Sequence, residues 1–237
     1  MEEKELKTKT WQRVAIALIG IIMVGSMLAG YVAIVASGSG NSKTGDTVSE
    51  ITDAKKAEYQ KDYDEKLAKF QEATKAEYAK YIANKSRIKT YDESAANEGE
   101  VKTRDLVEGD GKTLEKDDTD YLAFYAGWCA DGTIFDSSLN DKENPTAFSK
   151  AIDASLGMIE GWNTGVVGMK LGGVREITIP GEYAYGERME ICGGYNKPLK
   201  FLVMTVAKEE PLKTLAAELD AAYLRVQYAN YGIDYGM

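Results

Sequence analysis

The first pattern along the chain is a charge-free apolar run from Val14 to Ala36. It exceeds the roughly 20 residues needed to cross a bilayer core, which predicts a transmembrane helix. Lys4, Lys7, Lys9 and Arg13 precede the run, and Ser37-Gly38-Ser39-Gly40-Asn41-Ser42 follows it. That bias sets the N-terminus in the cytoplasm and the rest of the chain outside. The run is too long for the apolar core of a usual signal peptide, so a retained signal-anchor is expected over a cleaved leader.

Gly38 to Gly45 reads as a flexible tether. Thr47 and Glu50 are then spaced as a capping box. Tyr59, Tyr63, Leu67, Phe70, Tyr78, Tyr81 and Ile82 recur at three- and four-residue steps, predicting one long helix to about Asn84. Asp62 with Lys66, and Glu65 with Lys69, stand in the favourable i,i+4 order on its polar side. The apolar stripe is rich in tyrosine rather than leucine and isoleucine. Packing, or a single stalk, is therefore favoured over a strict coiled coil.

From about Val101 the periodicity shortens. Tyr121 to Tyr125, Ile177 to Ile179 and Phe201 to Val206 are strand-like, and Asp131-Gly132 is a hairpin turn. Met158 to Val167, closed by Gly168, fits a short helix. Several antiparallel strands with one short helix make an α+β domain. After Pro211, at a first-turn position, Leu212, Leu215, Ala216, Leu219, Ala222, Tyr223 and Val226 trace one apolar helix face, with Gly232 as a stop. That face must be buried against the domain, the stalk or a second copy.

The 237 residues, 44% hydrophobic, suffice for one good core with peripheral elements. A net charge of −9 argues against a nucleic-acid partner, which needs a basic face. The chain has no histidine, which excludes Ser–His and Cys–His nucleophiles and removes the commonest zinc ligand. Cys129 and Cys192 are either two small buried thiols or, in a domain outside the cytoplasm, one disulfide. Trp128-Cys129 lacks a resolving cysteine two residues on, so thiol exchange is not expected.

From about Val101 to Lys208, the ordered pieces resemble an FKBP-type peptidyl-prolyl isomerase domain. They are Tyr125-Ala126-Gly127, Asp131-Gly132-x-x-Phe135-Asp136-Ser137-Ser138, Met158-Ile159-x-Gly161-Trp162 and Gly165-x-x-Gly168-Met169-x-x-Gly172. Ile179-Pro180, Tyr183-Ala184-Tyr185-Gly186 and Asn196-Lys197-Pro198-Leu199-Lys200-Phe201 follow. The resemblance implies a curled antiparallel sheet around a short helix, with the substrate proline held between them. It implies a pocket of Tyr125, Phe135, Phe148, Met158, Ile159, Trp162, Tyr185 and Phe201, with Trp162 as floor and Asp136 as polar wall. The Ile159 N–H and the Tyr185 hydroxyl would hold substrate carbonyls. Where the family often has Ile-Pro-Pro, this chain has Cys192-Gly193-Gly194-Tyr195, and Ile191 is the apolar contact expected there. A Cys129–Cys192 bond would pin this loop over the pocket.

Such a site suits its implied reaction. The barrier to X–Pro rotation, ~18–20 kcal/mol, is amide resonance, so no bond breaks and no nucleophile, metal or cofactor is needed. The expectation is thus an α+β, FKBP-like fold with an N-terminal transmembrane helix, a long helical stalk and a C-terminal helix. Residues 1–37 form the tail and anchor, 38–90 the tether and long helix, 91–208 the isomerase domain and 209–237 the C-terminal helix and tail. The protein would catalyse X–Pro rotation in exported or surface polypeptides from the outer side of a cell membrane, spanned once by residues 14–36. The alternative is a non-catalytic, membrane-tethered chaperone or binding module on the same fold. A homodimer through the helices is the expected self-association.

Overall fold

The computed structural model describes residues 51–234. The expected membrane span 14–36, the tether and the capping pair Thr47 and Glu50 lie outside the described residues. Among the described residues no helix is long and apolar enough to cross a membrane.

The chain divides into two compact units. One, Phe70–Ala216, contains an antiparallel sheet of β1 (Lys102–Val107), β2 (Tyr121–Trp128), β3 (Ile134–Ser137), β4 (Ile152–Asp153), β5 (Val174–Ile179) and β6 (Leu199–Ala207). The order is β1-β5-β6-β2-β3, with β4 on β2. All eight residues of β2 are buried, because both faces of the sheet are covered. Strand alternation sends Tyr121, Ala123 and Tyr125 to one face, joined there by Ile177, Ile179, Leu199, Phe201 and Val203. Phe124, from the opposite set, stacks on Phe148 with ring centres 4.5 Å apart.

The short helix α4 (Glu160–Gly165) covers the first face. Gly161 and Gly165 let it lie against β5: a Cβ at either would fall 2.2 Å from Ile179 Cγ2 or 2.5 Å from Ile177 Cγ2. Arg175, on β5 and 5% exposed, donates to the carbonyls of Gly165 (2.9 Å) and Val167 (2.8 Å) at the end of this helix. Its guanidinium also pairs with Asp105. A cation there satisfies carbonyls that a helix end leaves without partners.

The second face is covered by chain that precedes the sheet. The single helix expected to Asn84 is two, α1 (Asp53–Ala73) and α2 (Lys75–Asn84). Between them Thr74, fully buried, turns its hydroxyl back onto the Phe70 carbonyl at 2.9 Å, a bond that competes with the helical ladder. Tyr78 and Tyr81 of α2 meet Phe148 edge-on at 5.5 and 6.2 Å, and Phe70 meets Phe124 at 6.0 Å. The Tyr78 hydroxyl donates to the Pro145 carbonyl and Lys80 to that of Gly172. The connector through α3 (Glu93–Ala96) adds Tyr91, whose hydroxyl donates to the Pro198 carbonyl, and Arg87, which joins Lys200 on Glu176. This part of the helical stripe is therefore core of the sheet unit, which starts ahead of the 91–208 span read from the sequence.

Among the described residues, the other unit joins 51–69 with 217–234. Here α1 meets α5 (Leu212–Asn230): Tyr63 lies 6.1 Å from Tyr223, Arg225 pairs with Asp62, and Val226 and Ala229 pack with Ile51 and Tyr59. Of the three destinations open to the apolar face of α5, α1 takes this part of it.

Candidate functional site

Beside α4 the side chains on the covered face of the sheet are aromatic. Tyr125 comes from β2, Phe135 and Asp136 from β3, Phe201 from β6 and Trp162 from α4. Met158 and Ile159 lead into the helix, and Tyr185 and Ile191 come from the β5–β6 connection; all four are half-buried against the same core. Trp162, 1% exposed, meets Tyr125 and Phe201 edge-to-face at 5.8 and 5.6 Å. Phe135 meets Phe201 at 5.6 Å and 88°. Such perpendicular contacts match ring edges to ring faces and set the rings against one another. Gly127 makes room for it: a Cβ there would sit 2.7 Å from both Phe135 Cζ and Phe201 Cε1.

The polar groups are few and fixed. The Tyr125 hydroxyl donates to Asp136 Oδ2. Burial, and then the neighbouring Asp136 charge, push the Tyr125 hydroxyl far above its ordinary range, so it stays a donor. Asp136 Oδ1 accepts from the Ser137 N–H at 2.8 Å and from Lys150 at 3.2 Å. Burial also raises the Tyr185 hydroxyl, with Asp136 adding to it. The Ile159 carbonyl accepts the Trp162 and Asn163 N–H groups, starting α4. The Trp162 indole donates to the Tyr121 hydroxyl at 3.1 Å. Among the described residues no group of histidine, cysteine, aspartate and glutamate side chains is placed to hold a metal ion.

The loop after Tyr185 folds into a tight turn, with Ile191 and Gly194 exchanging backbone hydrogen bonds at 2.9 and 3.2 Å. Cys192, in this turn, is disulfide-bonded to Cys129, the residue after β2, with Cα atoms 5.5 Å apart. The loop beside the pocket is thereby tied to the strand that supplies Tyr125.

Of the residues singled out from the sequence, Tyr125, Trp162 and Phe201 belong to one buried cluster, Phe135, Met158, Ile159, Tyr185, Ile191 and Cys192 pack against it, Asp136 is bonded to Tyr125 and Cys129 to Cys192. Phe148 is not among them. It is fully buried on the opposite face of the sheet, between Phe124 and the tyrosines of α2, so its assignment to substrate binding is corrected to core packing. The residue sits in an insertion whose alignment carried no facing information. Two contributors were missed. Tyr121 was signalled by Trp162, since a buried indole needs an acceptor; Lys150 had no sequence signal.

Strands β2, β3 and β6 and helix α4 thus bring together an aromatic box with a few fixed polar groups. Comparison with known proteins identifies the family. The profile of the FKBP-type peptidyl-prolyl cis-trans isomerase family matches residues 111–206. An FK506-binding protein of Neisseria meningitidis serogroup A / serotype 4A is 39% identical over 108 residues, covering 46% of this chain and 93% of that protein. FK506-binding protein 1 of Candida glabrata is 37% identical over 91 residues, covering 38% and 76%. A peptidyl-prolyl isomerase structure from Pseudomonas syringae pv. tomato is 24% identical, covers 45% of this chain and 74% of that one, and has a TM-score of 0.35. The chain belongs to the FKBP-type peptidyl-prolyl cis-trans isomerase family. It is an isomerase acting on proline-containing polypeptides.

Proposed function

We propose that isomerisation takes place in the box of Tyr125, Phe135, Asp136, Ile159, Trp162, Tyr185 and Phe201, on exported or surface polypeptides. The convergence of these side chains on one face of the sheet carries the reading. In it, the substrate proline rests on Trp162. As the X–Pro bond turns, its nitrogen pyramidalises and its carbonyl loses amide conjugation. Water favours the planar, polar amide; excluding water removes that preference. Met158 and Ile191 add apolar wall. The Ile159 N–H and the Tyr185 hydroxyl hold flanking carbonyls, so the chain ends stay placed while the bond turns. Tyr125 and Ser137 fix the Asp136 carboxylate, which acts through its dipole and hydrogen bonds and transfers no proton.

The apolar run 14–36 and its flanking lysines support a single-pass anchor with the isomerase outside the cytoplasm. The Cys129–Cys192 disulfide fits the same assignment, because such bonds persist in oxidising compartments. Clients there wait on X–Pro isomerisation that takes tens to hundreds of seconds uncatalysed. A homodimer through the helices remains part of the proposal.

The test is a protease-free isomerisation assay on an X–Pro peptide. Asp136→Ala and Tyr185→Phe should each lower kcat/KM by about tenfold or more, as loss of a positioned polar group does. Undiminished rates in both would remove the box from catalysis. FK506, the compound for which the relatives are named, should compete with the peptide. Carbonate extraction and external protease treatment of intact cells test the anchor and its orientation.

A further inference from the structure

The chemistry above explains the aromatic box and Asp136, but not the cation beside them. The Lys150 ammonium lies 3.2 Å from Asp136 Oδ1 and 5.8 Å from the centre of the Tyr125 ring. Its side chain is 43% exposed, so it stands at the rim with part of the ammonium facing water. Asp136 does not need it for order, being held already by Tyr125 and the Ser137 N–H. Lys142, from the same segment, donates to the Phe135 carbonyl at 2.5 Å. Two lysines of the β3–β4 connection thus flank the Phe135-Asp136 wall, in a chain whose net charge is −9.

We propose that Lys150 is a specificity-determining residue, favouring X–Pro bonds in which X is acidic. The inference rests on the pocket reading: with proline on Trp162 and the rotating amide beside Asp136, X is the substrate residue nearest this wall. An ammonium carries three donors, and Asp136 takes one. A carboxylate on X takes another. The long flexible stem of lysine lets the ammonium serve both without rebuilding the wall. The partly exposed ammonium is strongly hydrated and its field is screened by water, so the preference is modest and sensitive to salt.

The experiment compares Glu-Pro, Ala-Pro and Lys-Pro versions of one short peptide in a protease-free assay, using the full chain in detergent. The readout is the ratio of kcat/KM values within each variant, which does not depend on the absolute rate retained. In Lys150→Met the Glu/Ala ratio should fall about two- to fivefold, the effect of a partly exposed ion pair. Lys150→Arg should keep it, Lys150→Glu should shift preference to Lys-Pro, and raising salt should narrow the wild-type ratio. Thermal melts establish that each variant is folded. A ratio unchanged in Lys150→Met overturns the proposal, as does a uniform loss on all three peptides, which would make Lys150 a support for Asp136 alone. Catalysis of Ala-Pro with no Glu preference defeats only the specificity claim; no catalysis of any peptide defeats the pocket reading beneath it.

Discussion

Gly127→Ala isolates the geometry of the box from its chemistry. Gly127 lies within β2, where the backbone suits any residue, so alanine brings only a methyl group. That methyl would sit 2.7 Å from Phe135 Cζ and 2.7 Å from Phe201 Cε1. Carbon atoms rest at roughly 3.5–4.0 Å, so each ring must retreat by about 1 Å. Phe201 is buried against Trp162 and Tyr125 and yields little, while half-buried Phe135 turns outward. Overpacking of this kind costs about 1–3 kcal/mol. In a domain of this size that lowers Tm by roughly 2–4 °C per kcal/mol. Activity should suffer more, because a displacement of about 1 Å in a positioning wall costs on the order of 10²-fold. The measurement pairs a thermal melt with kcat/KM on a single X–Pro peptide. A variant that melts within a few degrees of wild type and keeps kcat/KM within about twofold would show that the Phe135–Phe201 spacing does not set the rate, against the argument here.

Other perturbations separate fold from site. Phe148→Ala should cost about 3–5 kcal/mol in urea unfolding yet leave kcat/KM of the folded fraction near wild type; a selective loss of activity would return Phe148 to the pocket. Arg175→Met strips the end of α4 of its donors to Gly165 and Val167. It should destabilise by about 2–4 kcal/mol, and Arg175→Lys should recover only part. Burial opposes ionisation of Glu176, but hydrogen bonds from Lys200 and Arg87 prevail and hold its carboxyl below the ordinary glutamate range. Its contribution is therefore complete at neutral pH and is lost as pH falls through that lowered value. As pH falls through the ordinary glutamate range and below it, the wild type should lose more stability than Glu176→Gln, and parallel losses would refute the coupling. Removing the Cys129–Cys192 bridge, whose cysteines are 63 residues apart, should cost about 2–4 kcal/mol by freeing the unfolded chain. Denaturant midpoints with and without reductant measure that loss.

Motif order made the box legible from the sequence, because each side chain sits at a fixed offset from a turn or helix start. Asp131-Gly132 places Phe135 and Asp136 on β3, and Gly161-Trp162 places the floor on a helix close enough to β5 to need glycine. The facing of Phe148 was not legible. It depends on how an insertion re-enters the sheet, and an isolated aromatic reads the same on either side. The division at Thr74 was hidden for a related reason: the helical period continues through it, and only burial of the threonine turns its hydroxyl onto Phe70. The role of Lys150 came from proximity across 14 positions, which no periodicity records.

The tyrosines of α2 lie on the opposite face of the sheet from the aromatic box, yet its geometry is partly theirs. The strand that supplies Tyr125 has Phe124 on its reverse, and Phe124 is kept from water by Phe148, Phe70 and the chain before β1. A piece that keeps both faces of the sheet covered therefore begins near Phe70, ahead of the family-matched segment 111–206. Cut shorter, the same motif would carry every pocket residue and leave a bare aromatic surface behind them, so its first behaviour in solution would be self-adhesion rather than catalysis.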